Sequence, residues 1–170
     1  MKESILDGKR ILAVDDEPDV LTVLEEEITT ACRNCKIDKA TTYEAAVEKL
    51  KTQQYDLVIL DIMGVRGFDL LAFAAGRKLR VAMLTAHALS PESLRRSLEM
   101  GAMAYLPKEK LGEIVPFLED VLTFEYLPGW KRLLMNLSDF FNTRWGKDWK
   151  KTDDEFWKEF EEKSKHLIVW

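Results

Sequence analysis

Two hydrophobic periods alternate along the chain. Unbroken apolar runs, Ile11-Leu12-Ala13-Val14, Leu57-Val58-Ile59-Leu60 and Val81-Ala82-Met83-Leu84, are short enough for strands buried on both faces. Lys36 to Ala40 is a weaker strand, and Ala102 to Leu106 a small fifth. Between them, apolar residues recur at three- and four-residue spacing. Val20, Leu21, Val23, Leu24 and Ile28 follow Pro18, which suits a first helical position. Thr41-Thr42-Tyr43-Glu44 has the form of a capping box for a helix carrying Ala45, Ala46, Val47 and Leu50. Phe68 to Ala75 is a short helix stopped by Gly76. Ser90 and Pro91 open one that carries Leu94, Leu98 and Met100 as far as Gly101. Ile114, Val115, Leu118, Val121 and Leu122 line a fifth, and Pro116 must lie in its first turn, so it begins near Glu113.

Five strands alternating with five helices predict an α/β fold with a doubly wound parallel sheet. Right-handed crossovers bring the ends of the first, third, fourth and fifth strands to one edge. Beyond Tyr126 the pattern changes: Leu127-Pro128-Gly129 is expected to break the chain, and an aromatic-rich all-α extension follows, with all five tryptophans. Trp130, Leu133, Leu134, Leu137, Phe140 and Phe141 predict one amphipathic helix ended by Gly146. Thr152-Asp153-Asp154-Glu155 reads as a capping box for a second, with Phe156, Trp157, Phe160, Leu167 and Ile168 on one side. The division is therefore residues 1–126 and 127–170. The apolar faces of the extension are expected to bury against the first unit or a second copy of the chain.

Composition narrows the function classes. A net charge of -5 over 170 residues offers no general attraction for nucleic acid, and the tail has no clear recognition helix. Its many Asp and Glu residues would oppose anionic lipid. The N-terminal residues lack the apolar stretch of a signal peptide and no later run is long enough to span a bilayer, so a cytoplasmic protein is expected. Cys32 and Cys35 have the spacing of a redox pair or half a metal site, but zinc would need two more ligands and His87 and His166 lie far off in sequence, so the expectation is two reduced thiols between a helix and a strand.

The strand ends carry the chemistry. The first ends in Asp15, Asp16 and Glu17, the third in Asp61, the fourth in Thr85, and Lys108 follows the fifth. Adjacent carboxylates repel unless a cation or partner neutralises them, so the acidic pair resembles half of a cation site. An aspartate carboxylate can attack phosphorus to give an acyl phosphate, and clustered carboxylates suit a hard divalent ion such as Mg2+. Lys108 and Thr85 can each meet a phosphoryl oxygen.

Val14-Asp15-Asp16-Glu17, Leu60-Asp61-Ile62-Met63, Leu84-Thr85-Ala86 and Tyr105-Leu106-Pro107-Lys108 resemble, in order and interval, the receiver domain of two-component response regulators. The likeness covers roughly Lys9 to Glu125. It implies a flavodoxin-like five-stranded fold, with Asp61 accepting a phosphoryl group from a histidine kinase or phosphotransfer protein. It further implies Mg2+ held by Asp16, Asp61 and the backbone carbonyl of Met63, with Asp15 acting largely through water. Thr85 and Tyr105 would form a switch pair that alters contacts with a downstream protein. Two departures stand out: Val65 occupies a usual proline place and Gly67 arrives early, and Glu109 follows Lys108 where a proline is usual. The first is expected to alter the pocket rim; the second removes the proline whose cis bond usually positions the lysine loop, although Lys108 itself is present.

The competing reading is a phosphorylation-independent interaction module on the same fold. A metabolic aspartyl-phosphate hydrolase would want a second acid two residues after the nucleophile, where Met63 stands. The expectation is therefore a switch rather than an enzyme, catalysing at most its own Mg2+-dependent phosphorylation and dephosphorylation.

Overall fold

A computed structural model describes residues 3–169. The first half builds β1 (Arg10–Val14), α1 (Pro18–Ala31), β2 (Lys36–Ala40), α2 (Tyr43–Thr52) and β3 (Leu57–Leu60). Then come α3 (Gly67–Gly76), β4 (Val81–Thr85), α4 (Pro91–Glu99), β5 (Ala104–Pro107), a 3-10 turn (Lys108–Glu113) and α5 (Ile114–Thr123). All strands are parallel, in the order β2-β1-β3-β4-β5. This is the flavodoxin-like arrangement, with its strand-order reversal between β1 and β3. The apolar runs are explained by position: every residue of β3 and β4 is buried, because neighbouring strands and helices cover them on all sides, while β2 at the edge is largely accessible.

Local signals act as expected, with adjustments. Thr42 caps α2 by accepting from Ala45 N–H at 3.1 Å, but the third helical position is alanine, so no reciprocal box forms. The reciprocal box belongs to α4 instead, where Ser90 and Ser93 each accept from the other's backbone N–H. Pro116 does sit in the first turn of α5.

The extension departs further from expectation. Leu127-Pro128-Gly129 does not break the chain. It lies in the first turn of α6 (Tyr126–Asn136), with Gly129 N–H donating to Glu125 O at 2.9 Å, while the break falls at Phe124 and Glu125, both extended. Proline is tolerated there because a first-turn N–H has no intrahelical partner to lose. The single helix expected up to Gly146 bends at Leu137, giving a separate α7 (Ser138–Trp145). After a 3-10 turn (Trp149–Asp153), α8 (Asp154–Ser164) begins without a side-chain cap, because the Asp153 carboxylate is engaged by the Arg95 guanidinium of α4. Leu167 and Ile168 lie past the end of α8, and Ile168 is 77% exposed rather than part of its apolar face.

These helices fold back onto the sheet unit rather than standing apart. Trp130 is fully buried and its indole N–H donates to Ala102 O at 2.7 Å; Tyr126 donates to Leu98 O; Arg132 pairs with Asp120 of α5 at 2.7 Å. The extension thus covers a face made by α4, β5 and α5. Its aromatic residues continue the same hydrophobic core. No described helix is long and apolar enough to cross a membrane.

The cysteines overturn their expectation. Cys32 and Cys35 are joined as a disulfide at the α1–β2 turn, where the turn brings their Cα atoms to 6.2 Å. Sequence spacing could place them near one another but not decide their oxidation state.

Candidate functional site

The sheet delivers its chemistry to one edge. Asp15 follows β1, Asp61 follows β3, Thr85 ends β4 and Lys108 follows β5. The ladder continues into the pocket, with Asp61 N–H donating to Val14 O at 2.9 Å and Asp15 N–H to Ala40 O at 3.1 Å, so both carboxylates project from fixed backbone. Asp15 is 2% and Asp61 3% exposed. Together with exposed Asp16, each offers a carboxylate oxygen within 4.8 Å of the others.

Lys108 bridges this cluster. Its ammonium lies 2.9 Å from Asp15 Oδ2 and 3.4 Å from both Asp61 Oδ2 and Glu17 Oε1. The Asp15 Oδ2 contact is ionic rather than a well-directed hydrogen bond, and that oxygen makes no other. Burial alone would lower the lysine pKa, but the Asp15, Asp61 and Glu17 carboxylates more than offset it. One ammonium cannot neutralise three acids. Burial, followed by the charge of Asp15, pushes the Asp61 carboxyl up to about 6, and burial also raises Asp15. Such a cluster has the hard oxygen donors and surplus negative charge that fit a divalent cation.

Thr85 gives a second sign of an incoming group. It is fully buried at the strand end, and its Oγ1 has no hydrogen-bond partner among the described residues. Buried hydroxyls are ordinarily paired, so this one is free for a ligand oxygen.

The short loop after Asp61 is built on two close approaches. A Cβ at Gly67 would stand 2.0 Å from the Asp61 carbonyl oxygen, and Gly67 N–H donates to Ile62 O at 3.0 Å. Glycine there lets the loop enter α3 directly, which accounts for its early arrival. Gly64, at φ +83°, lies so near Asp16 that a Cβ would meet its Oδ2 at 2.2 Å. Met63 is on this loop, half exposed at the rim. Arg66 turns away from the acids, placing its guanidinium 4.0 Å from the Tyr43 ring centroid and bonding Asp69.

Tyr105 is not in the cluster. It is buried behind it, with its hydroxyl 2.6 Å from Ser93 Oγ and accepting from Ser90 N–H at 3.2 Å. Sequence reasoning missed Ser90 and Ser93 in this role, although their capping spacing was a visible signal. His87, two residues beyond Thr85, is an exposed loop residue at the rim, with its Nε2 3.5 Å from Glu17 Oε1.

Comparison with known proteins agrees with this geometry. A two-component response regulator of Arabidopsis thaliana is 37% identical over 107 residues, covering 59% of this chain and 16% of its own length. A gliding motility regulatory protein of Myxococcus xanthus is 34% identical over 109 residues, covering 61% of this chain and 14% of its own length. The chain thus spans a small part of those curated relatives. Among solved structures, the response regulator protein TrrA of Thermotoga maritima, in complex with Mg2+–BeF, is 33% identical with a TM-score of 0.58 over 67% of this chain and 99% of its own. A CheY-like receiver domain protein of Methanospirillum hungatei is 26% identical with a TM-score of 0.57 over 68% of this chain and 96% of its own. The response regulator receiver domain family matches residues 11–118, which take in Asp15, Asp61, Thr85 and Lys108 alike, and the chain belongs to that family.

Proposed function

We propose that Asp61 is the phosphoacceptor of a signalling switch, charged by a phosphohistidine on a histidine kinase or phosphotransfer protein. The family is a signalling module rather than a classical enzyme, binds Mg2+ at an acidic pocket and interacts with such donors. The observation that carries the reading is the buried Asp61 carboxylate beside Lys108, with the unpartnered Thr85 hydroxyl at the same sheet edge. The Mg2+–BeF complex of the Thermotoga relative supports the same chemistry.

In this reading an Asp61 oxygen attacks phosphorus, the P–N bond to the donor imidazole breaks, and the imidazole leaves with that electron pair and takes up a proton. Lys108 and the Thr85 hydroxyl meet phosphoryl oxygens. Asp15, Asp16, Asp61 and the Met63 carbonyl would hold Mg2+, whose positive charge lets carboxylate and phosphoryl oxygens approach. The ionised nucleophile needs no separate base. Small acyl phosphates can serve as donors by the same displacement, and water attacking the acyl phosphate resets the switch.

Coupling runs through the loop after Thr85. The Tyr105 hydroxyl contacts Ala88 and Ser90 of that loop, so movement of Thr85 toward a phosphoryl group pulls on the segment tied to Tyr105. Residues 1–126 act as the receiver unit and 127–170 as the extension through which a downstream protein senses the change.

The test is to incubate the chain with acetyl phosphate, with Mg2+ or with a chelator, and trap the acyl phosphate by borohydride reduction before peptide mapping. Modification at Asp61 only when Mg2+ is present supports the reading. Modification elsewhere, or none, refutes it.

A further inference from the structure

The Cys32–Cys35 bond lies at the far end of β1 and α1 from the acidic pocket. It encloses only Arg33 and Asn34, both exposed. A loop this short restricts the unfolded chain less than a long one, so the consequence of the bond is chiefly local. That consequence is visible in what the loop holds. With Asn34 at φ +57°, Arg33 N–H donates to Asp7 Oδ1 at 2.6 Å and Arg33 O accepts from Gly8 N–H at 3.0 Å. Asp7 also accepts from Ser4 N–H at 3.1 Å, closing a turn around the fully buried Leu6. Ser4 Oγ then donates to Glu119 of α5 at 3.0 Å. The bonded loop therefore anchors an N-terminal strap, residues 4–8, that reaches from the α1–β2 turn to α5.

The two cysteine residues differ in burial. Cys35 is half buried on the exposed turn, whereas Cys32 is 8% exposed and closes the C-terminal end of α1, its N–H bonded to Ile28 O. A helix C-terminus disfavours a thiolate, the reverse of the helix N-terminal setting that activates redox cysteines. The pair is thus suited to staying bonded until a reductant completes the exchange. A single thiol captured at Cys35 is expelled again by adjacent Cys32, while a dithiol can resolve its own mixed disulfide.

We infer that Cys32–Cys35 is a thiol–disulfide exchange site for a dithiol reductant, and that opening it frees the strap at residues 4–8 while the sheet and acidic pocket remain folded. A thiolate of the dithiol attacks Sγ of Cys35, the Cys32–Cys35 bond breaks, and Cys32 leaves as a thiolate that takes a proton. The second thiol of the reagent, deprotonated, attacks the mixed disulfide and releases Cys35, which is protonated in turn. Two electrons and two protons pass from the dithiol, which becomes a disulfide, to the protein.

The experiment equilibrates the native full chain in buffers of reduced and oxidised dithiothreitol, alkylates free thiols, and reads intact mass together with amide hydrogen exchange. The expected result is that both cysteines become alkylated together as the reduced fraction rises. On reduction the Gly8 and Arg33 amides should exchange about tenfold faster or more, β3 amides should be unchanged, and re-oxidation should reverse the effect. A Cys32→Ser/Cys35→Ser double variant should show the fast pattern in both buffers. The inference is overturned if both cysteines alkylate without reductant, if the bond opens only in denaturant, if Gly8 and Arg33 exchange is unaltered, or if the double variant still responds to dithiothreitol.

Discussion

Phe141 of α7 packs against Tyr105 of β5, both fully buried, with ring centroids 6.4 Å apart. The tyrosine is held by the extension on its ring and by α4 at its hydroxyl, 2.6 Å from Ser93 Oγ. Phe141 in turn stacks on Trp145 at 4.7 Å and meets Trp149 edge-on at 5.8 Å, and Trp149 meets Trp157 of α8 at 5.2 Å. A continuous aromatic core joins the residue behind the acidic pocket to the last helix.

Replacing Phe141 should therefore act on the whole fold. Phe141→Ala is expected to lower unfolding free energy by about 3–5 kcal/mol, the usual range for a buried phenylalanine. Tryptophan fluorescence and far-ultraviolet circular dichroism in denaturant should show one shared transition for parent and variant. A variant in which the tryptophan signal melts early while the sheet keeps its parent midpoint would mean that the extension is a separate body.

The acidic pocket sets an unusual pH dependence. Asp61 titrates near 3.8 when unfolded and is raised to about 6 in the folded chain, by burial first and Asp15 second. Between those values the folded state holds a proton that the unfolded chain has released, so this group's contribution to stability falls as pH rises. Without divalent cations, the contribution lost is on the order of 2–3 kcal/mol. Asp61→Asn cannot ionise, so its unfolding free energy should decline less over the same window and exceed the parent's at neutral pH. Parallel profiles from metal-free denaturant titrations would contradict this.

Thr85 separates stability from ligand chemistry. Its buried hydroxyl has no partner among the described residues, so Thr85→Ala forfeits no protein hydrogen bond, and the change in stability should stay within about 1 kcal/mol. Affinity for beryllofluoride with Mg2+, read by titration calorimetry, should nevertheless drop about tenfold, as for loss of one hydrogen bond to a charged group. A large stability loss with unchanged affinity would assign the hydroxyl a structural task.

Gly64 tests the shortened loop. A side chain there is strained at φ +83° and would displace the Asp16 carboxylate. Gly64→Ala is expected to destabilise the chain by about 1–2 kcal/mol and to weaken Mg2+ binding several-fold, measured by unfolding and by Mg2+ titration. Unaltered Mg2+ affinity would show that Asp16 does not need this position.

The sheet and its reactive edge were legible because continuous apolar runs and strand-end acids follow from burial on both faces. Asp15, Asp61, Thr85 and Lys108 could be placed together by crossover handedness alone. The extension was harder to read. Pro128 and Gly129 look like a break, yet a first helical turn accepts both, and Thr152 looks like the cap of the last helix, yet the helix starts after Asp153, whose carboxylate Arg95 of a distant helix takes. Those outcomes depend on tertiary partners that local spacing does not show. Neither did spacing reveal the Cys32–Cys35 bond, or the tight Gly64 approach, which depends on where Asp16 comes to lie.

Whether Asp61 is the phosphoacceptor is read most directly from the intact mass of the parent and Asp61→Asn after incubation with Mg2+ and a small acyl-phosphate donor, quenched rapidly. One added phosphoryl group is expected on the parent and none on the variant. Equal gain by both proteins, or no gain by the parent at any quench time, would contradict that role.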